Sequence, residues 1–330
     1  MAAKRQRSPR SPLTQEFARI AWLLQLFEKG GQSKSVVLGI GDDAAVLKPL
    51  AKRWVWTIDA CVQDVHFKLP WLTGEDLGWR SYNAAVSDLA AMGASPIGAL
   101  SSLALPATVD SKLWQDIARG QARAAKALGC PIIGGNITRA AQISIHTTVV
   151  GDAKHPLLRT GACPTDEIWL LGNVGAAAAG LAVLMHVPER KWDADMRGCV
   201  RAWRRPRALL KEGKLLSGCA TAAIDISDGL AGDARHIADA SDVALVLDVR
   251  AIERAILPRV RRVAAAMRRS ALDWALGGGE DYALIATGSS RKRPRGARCI
   301  GSVERGQGVW LERVNGERVA VQAGFDHFAG

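Results

Sequence analysis

The sequence predicts an α/β or α+β protein of two units. Apolar runs of strand length alternate with stretches of helical periodicity along most of the chain. Its 330 residues suffice for two domains or one large α/β domain. A loop-like stretch, GDAKHPLLRTGACPTD (151–166), interrupts the alternation, and places a boundary near 152. The expected layout is therefore a disordered basic arm over 1–14, a first domain over 15–152 and a second over 153–330.

In order, Glu16–Phe27 carries apolar residues at helical spacing and stops before Gly30-Gly31, a natural helix end. Strands are predicted at Ser35–Ile40, Trp54–Ile58 and Ile97–Ala104. Leu77–Met92 reads as a helix closed by Gly93. Asp110–Leu128 reads as another, capped by Asp110 or Ser111 and ended at Gly129. Apolar runs at Pro131–Ile133 and Ile143–Val150 follow. The second unit opens with a strand at Glu167–Leu171 and a small-residue helix, Gly175–Val187. After a basic helical region come a strand at Ala222–Ile226, a helix from Asp228 to Ala240 and a strand at Val243–Val249. An Arg-rich helical segment, a glycine turn at Gly277–Gly279 and short strands complete the chain.

Composition excludes several classes. No run of eighteen apolar residues exists, so a membrane span is not expected. The start, MAAKRQRSPRSP, leads into no signal-type apolar region and reads as a disordered arm. Six scattered cysteines without a CxxC pair fit reduced thiols and a cytoplasmic location better than disulfides or zinc. The net charge of +12 comes from basic clusters at 4–10, 201–214, 250–269 and 291–298. No nucleic-acid-binding motif accompanies them, so they read as solvated faces attracting anionic substrates, not as a specific nucleic-acid site.

Four acidic segments carry the chemistry: GIGDDAAVL (39–47), TIDACVQDVHF (57–67), SDLAAMGA (87–94) and AIDISDGL (223–230). Each sets aspartates beside glycine or small residues within or beside an apolar run, where a carboxylate is costly unless something cationic compensates it. A shared set of Mg²⁺ ions completed by phosphates is the simplest such partner. In AIDISDGL, strand alternation puts Asp225 opposite Ile224 and Ile226. Ser227 reads as an N-cap with Asp228 at the first helical position, and a helix N-terminus suits phosphate. Taken singly, each motif has a plainer explanation: Ser-Asp as capping, Asp-Asp as a turn, Asp88 as an exposed helical aspartate, His66 as structural. GGNITR (134–139) adds a Gly-Gly turn beside a metal-capable amide, and GGGEDYAL (277–284) a glycine turn with an acidic pair. No Walker A or protein-kinase glycine loop is present.

With GFDHF (324–328), these segments give the chain a resemblance, from about Glu16 to Phe328, to the thiamine-monophosphate kinase family. That family belongs to a superfamily with aminoimidazole ribonucleotide synthetase, selenophosphate synthetase and the hydrogenase-maturation dehydratase. The resemblance implies an N-terminal α/β domain whose strands form a barrel across a homodimer, a C-terminal α/β domain, and ATP with several Mg²⁺ ions between them. A monovalent cation has a place in this expectation too. It implies a cytoplasmic enzyme converting ATP and thiamine monophosphate to ADP and thiamine diphosphate. Carried over by motif, Asp43, Asp59, Asp88, Asp225 and Asp228 are metal carboxylates, with Asp59, Asp88 and Asp225 central to catalysis. Thr57 adds an oxygen ligand. Gly135, Asn136, Arg159 and Ser227 fall at nucleotide positions; His66, Glu280 and Phe325 fall on the substrate side.

Two positions depart from the family pattern. Ile58 stands where a hydroxyl residue is usual, and Asn136 stands where the family has aspartate after Gly-Gly. Ile58 retains a backbone carbonyl and Asn136 a side-chain oxygen without charge, so the ion they share is expected to bind more weakly. Two alternatives are open: another ATP-dependent enzyme of the superfamily, or a non-catalytic nucleotide-binding homologue.

Overall fold

The computed structural model describes residues 22–23, 25–27, 33–38, 46–49 and 51–321. Asp43, Phe325 and the basic arm lie outside the described residues, as does most of the expected helix Glu16–Phe27, of which 22–23 and 25–27 are helical. Strand β1 (Val36–Leu38) pairs antiparallel with β2 (Val46–Leu47).

Next come β3 (Arg53–Val62), α1 (Gly74–Ala91), β4 (Ser95–Leu105), α2 (Ser111–Leu128), β5 (Ile132–Arg139) and β6 (Ser144–Ala153). The four strands form a sheet in the order β3-β6-β4-β5. β4 and β5 are parallel, with α2 between them in sequence, and the other pairs are antiparallel. α1 starts where a capping box allows it: the Thr73 hydroxyl accepts from the Asp76 N–H at 3.1 Å, and the Asp76 carboxylate accepts from the Thr73 N–H at 3.3 Å. α2 begins at the expected cap, Asp110, and ends at Gly129 with φ 62°. The two helices cross closely because Gly78 and Gly120 lack side chains. A Cβ at Gly78 would stand 1.9 Å from the Ile117 carbonyl oxygen.

The GGNITR segment, expected as a turn, lies inside β5. Gly135 is needed there by the sheet, since a Cβ would come within 2.0 Å of the Ser101 carbonyl oxygen on β4.

The second half contains β7 (Glu167–Leu171), α3 (Ala176–His186), α4 (Ala194–Arg204), α5 (Leu210–Leu216), β8 (Ala222–Asp225), α6 (Leu230–Ser241) and β9 (Ala244–Asp248). It continues with α7 (Val249–Ala255), α8 (Pro258–Ala266), α9 (Ala271–Gly277), β10 (Leu284–Gly288), β11 (Arg298–Glu304), β12 (Gly308–Glu312) and β13 (Arg318–Ala320). Its strands form a seven-stranded sheet, β13-β12-β9-β11-β7-β10-β8. One face, including Ile168, Leu170, Ile224, Leu245 and Ile285, packs into the main core with α3 and α6. The other, including Trp169, Leu171, Ala223 and Leu284, packs against Ala90 and Ala91 of α1. α1 is thus held between the two sheets.

The basic stretch at 201–214 is more than a solvated face. Arg204 Nε donates to the Trp71 carbonyl at 2.6 Å and Arg205 Nε to Asp76 at 2.5 Å, tying α4 to the first half. The start of α6 also differs from expectation. Its N-cap is Gly229 (φ 112°), not Ser227, and Asp228 is not helical. The Ser227 carbonyl accepts from the Glu280 N–H at 2.8 Å, so this turn is fastened to the glycine-rich turn before the helix can start. Asp233, one turn into α6, accepts from the Asp228 N–H at 3.0 Å. Among the described residues, no helix is long and apolar enough to cross a membrane.

Candidate active site

Alternation along β3 separates two chemistries. Val55 and Cys61 face the helices and are buried, with Thr57 and Asp59 in the same alternation; Trp54, Trp56 and Ile58 point to the opposite, open face. The Thr57 hydroxyl donates to Asp88 on α1. One residue earlier, the Ser87 hydroxyl donates to Asp225 at the end of β8, 2.6 Å away. α1 therefore joins an aspartate from each half through consecutive residues. Asp59, Asp88, Asp225 and Asp228 all line one cavity of about 890 Å³, with Ile58, His66, Ser227 and Glu280. Its lining also includes apolar side chains, Trp71, Leu181, Met185 and Trp274.

Three of these carboxylates, Asp59, Asp88 and Asp225, are electrostatically uncomfortable. Burial, reinforced by the neighbouring Asp88 charge, pushes the Asp225 carboxyl up to about 7. Burial likewise pushes Asp59 to about 6; its own-residue-adjacent Ala60 N–H partly offsets this and Asp88 again raises it. Asp88 is raised by burial, against the Thr57 hydrogen bond and the Arg159 charge. Hard oxygen donors that repel one another in a cleft fit a divalent cation. Among the described residues, no three such side chains converge closely enough to hold an ion by themselves. A Mg²⁺ ion held here would need waters and substrate phosphates to complete its shell.

The remaining candidates divide by location. The Val62 N–H donates to His66 Nδ1 at 3.1 Å, fixing that ring at the cavity wall. Arg159 is exposed, and its charge lowers the proton affinity of both Asp88 and Asp225, so it lies by the acidic end without lining the cavity. Gly135 and Asn136 are not on the cavity wall. Ile58 and Asn136 occupy opposite edge strands of the four-stranded sheet, about 14 Å apart at the usual strand spacing. Both point to the open face, because Asn136 shares a row with Ser102, His146 and Ala60.

Glu280 (φ 69°) faces the cavity, whereas its neighbour Asp281 turns away to accept from the Gly175 and Ala177 N–H groups at 2.6 and 2.9 Å, capping α3. Four further residues organise the site: Ser87, Asp233, Arg80 and Trp203. Arg80 forms an ion pair with Glu280, and Trp203 Nε1 donates to the other Glu280 oxygen at 2.6 Å. Ser87 had a signal in its position beside Asp88. The other three depend on contacts that sequence spacing does not encode.

Residues 41–153 match the family model described as AIR synthase related protein, N-terminal domain. The Mycobacterium tuberculosis thiamine-monophosphate kinase is 32% identical over 321 residues, covering 96% of this chain and 94% of that protein. The enzyme of that name from Escherichia coli K12 is 35% identical over 338 residues, covering 95% and 98%. Among solved structures, AaThiL complexed with AMPPCP and TMP superposes with a TM-score of 0.78 at 29% identity, covering 96% of this chain and 98% of that one.

Proposed function

Because the chain belongs to the thiamine-monophosphate kinase family, we propose that its cleft transfers the γ-phosphoryl group of ATP to thiamine monophosphate, giving ADP and thiamine diphosphate. The observation that carries this reading is the single cavity lined by Asp59 and Asp88 from one half and Asp225 and Asp228 from the other, with apolar side chains in the same lining. The relative held with AMPPCP and TMP supports both substrates.

The acceptor nucleophile is a phosphate oxygen. With a second pKa of about 6 it is largely ionised at neutral pH, so no strong general base is required. The protein's task is to align two polyanions and offset their repulsion. Asp59, Asp88, Asp225 and Asp228 would hold Mg²⁺, with Thr57 bracing Asp88 and Ser87 bracing Asp225. Bound there, Mg²⁺ supplies charge neutralisation of the phosphates. Arg159 presents a guanidinium fork suited to phosphate oxygens, and the Ser227 turn lies beside the carboxylates for the nucleotide. His66 and Glu280 take the acceptor side; by the family motif, Asp43 would be a further metal carboxylate and Phe325 a further acceptor-side residue.

The same reading divides the chain into a basic arm (1–14), a nucleotide- and metal-binding dimerisation domain (15–152) and a C-terminal α/β domain (153–330), in a cytoplasmic homodimer. The open face of the four-stranded sheet supports the dimer. Trp54, Trp56, Ile58 and Leu100 are 44, 62, 64 and 40% exposed on it, an apolar patch that a second sheet would cover. Closing a barrel with β5 of one subunit beside β3 of the other would set the strand that carries Asn136 next to the strand that carries Ile58 and Asp59. Trp56→Glu should then give a monomer by sedimentation, with loss of activity; an active dimer would remove the barrel.

Incubation of the purified protein with ATP, Mg²⁺ and thiamine monophosphate should yield thiamine diphosphate. Measurable ATP binding without that product would reject the kinase reading.

A further inference from the structure

We propose that Arg80 and Trp203 are positioning residues for Glu280: a guanidinium from the first half of the chain and an indole N–H from the second clamp its carboxylate at the cleft wall and set the affinity for the acceptor. The inference rests on the reading of Glu280 as an acceptor-side group.

Both carboxylate oxygens of Glu280 are occupied. Arg80 Nη2 pairs with Oε1, and Trp203 Nε1 donates to Oε2 at 2.6 Å. The clamp is itself cross-braced. Arg80 Nη1 donates to the Trp203 carbonyl, and the guanidinium lies 4.3 Å from the centre of the Trp203 ring. The Arg80 side chain is 2% exposed and Trp203 is 1% exposed, so neither group can exchange its partner for water. Glu280 is the outward-facing member, at 27% exposure, and its backbone sits in the left-handed region at φ 69°. That conformation is unfavourable for a residue with a Cβ, and persists where surrounding contacts over-determine it.

Trp203 braces a second part of the same wall. Its ring meets Trp71 edge-on, with centroids 6.1 Å apart and planes at 75°, and Trp71 lines the cavity. The clamp is complete only when α1, which carries Arg80, is docked against α4, which carries Trp203, and against the glycine-rich turn. Acceptor-side geometry is thereby tied to the packing of the two halves.

A buried ion pair with a purely structural role would affect stability and leave substrate affinities alone. A positioning role affects the acceptor selectively. Trp203→Phe retains an aromatic ring and removes the N–H donor, and Arg80→Lys retains charge without the fork. Loss of a hydrogen bond to a charged group should raise KM for thiamine monophosphate about tenfold, with KM for ATP within about twofold. In a Glu280→Gln background, Trp203→Phe should add little further effect, because its partner charge has gone. Thermal melts of every variant establish that the fold is retained. Trp203→Phe, the milder change, remains informative if Arg80→Lys does not fold. Equal changes in both KM values, or additive effects of Trp203→Phe and Glu280→Gln, would overturn the clamp. Should the protein make no thiamine diphosphate, the same comparison is read from calorimetric binding of thiamine monophosphate and of ATP, which separates failure of the clamp from failure of the kinase reading. An unaltered acceptor affinity in Glu280→Gln would remove both Glu280 from the acceptor side and the clamp with it.

Discussion

The two ends of the cleft solve the problem of a carboxylate near a protein interior in opposite ways. Glu280 comes with its cation built in: Arg80 and Trp203 occupy both oxygens before any ligand arrives. Asp59, Asp88 and Asp225 have hydroxyl and amide partners, yet burial raises the proton affinity of all three, and the Asp88 charge adds to it at Asp59 and Asp225. Arg159 acts on Asp88 and Asp225 from an exposed position, and Asp59 also feels the Arg80 and Glu280 charges. The acceptor end is therefore fixed in advance, whereas the acidic end stores unfavourable charge that a metal and its phosphates would relieve. In the proposed reaction the first would position the acceptor and the second would take counter-ions.

The largest test of this contrast is Asp88→Asn. Asp88 is coupled to both Asp59 and Asp225, and an amide keeps an oxygen for Thr57 while losing the charge. Turnover should fall by about 10²–10³-fold, the scale typical of a lost electrostatic group in an active site, with a cooperative melt showing that the fold is retained. Near-normal turnover in a steady-state assay would return Asp88 to an ordinary helical aspartate.

Stability separates the two ends by sign. Asp225 has its proton affinity raised from the ordinary 3.8 to about 7, so the folded state holds a proton that the unfolded chain releases. Its contribution to stability is consequently lost as pH rises from about 4 to about 7. At about 1.4 kcal/mol per tenfold change in proton affinity, the penalty at pH 8 is on the order of 4 kcal/mol, shared with Asp88. In EDTA at pH 8, Asp225→Asn should therefore melt higher than the parent, and the difference should vanish near pH 4 or on adding Mg²⁺ with ATP. Glu280→Ala should do the reverse at all these pH values. It strands a buried guanidinium, which costs about 3 kcal/mol, and Mg²⁺ should not rescue it. Melting curves in which both substitutions act in the same direction would dissolve the contrast.

The sequence made the acidic end readable because its residues sit in short, locally peculiar strings. Asp59 lies in an apolar strand, Asp88 follows Ser87 in a small-residue helix, and Asp225 closes a strand four residues before a glycine. Strand boundaries such as Glu167–Leu171 were likewise legible from a local apolar run. The acceptor end was half legible. Glu280 lies in a glycine-rich string, but Arg80 looks like any helical arginine and Trp203 like one member of a basic segment. They meet Glu280 across 200 and 77 positions of sequence, a distance that periodicity cannot span. The false cap at Ser227 has the same origin: Ser-Asp is a sound local helix start, overridden by the tertiary hydrogen bond from Glu280 to the Ser227 carbonyl.

Asn136 gives the smallest and most particular test, because it asks whether the acidic end is complete in one chain. Within the subunit it lies on the edge strand farthest from Asp59, facing the same open side as Ile58. An added carboxylate there would be remote from the Asp59–Asp88–Asp225 group of its own chain and would do little for it. Across a closed barrel the two edge strands would meet, and Asn136→Asp would add a charged oxygen at that seam, for the ion expected to be most weakly held. The Mg²⁺ concentration for half-maximal activity should then fall a few-fold, about 1 kcal/mol or less, and the gain should disappear in the Trp56→Glu monomer when Mg²⁺ binding is measured by calorimetry. An unchanged Mg²⁺ dependence would make Asn136 a surface amide and leave the acidic end wholly within one subunit. A gain that survives in the monomer would place the ion elsewhere than between the two sheets.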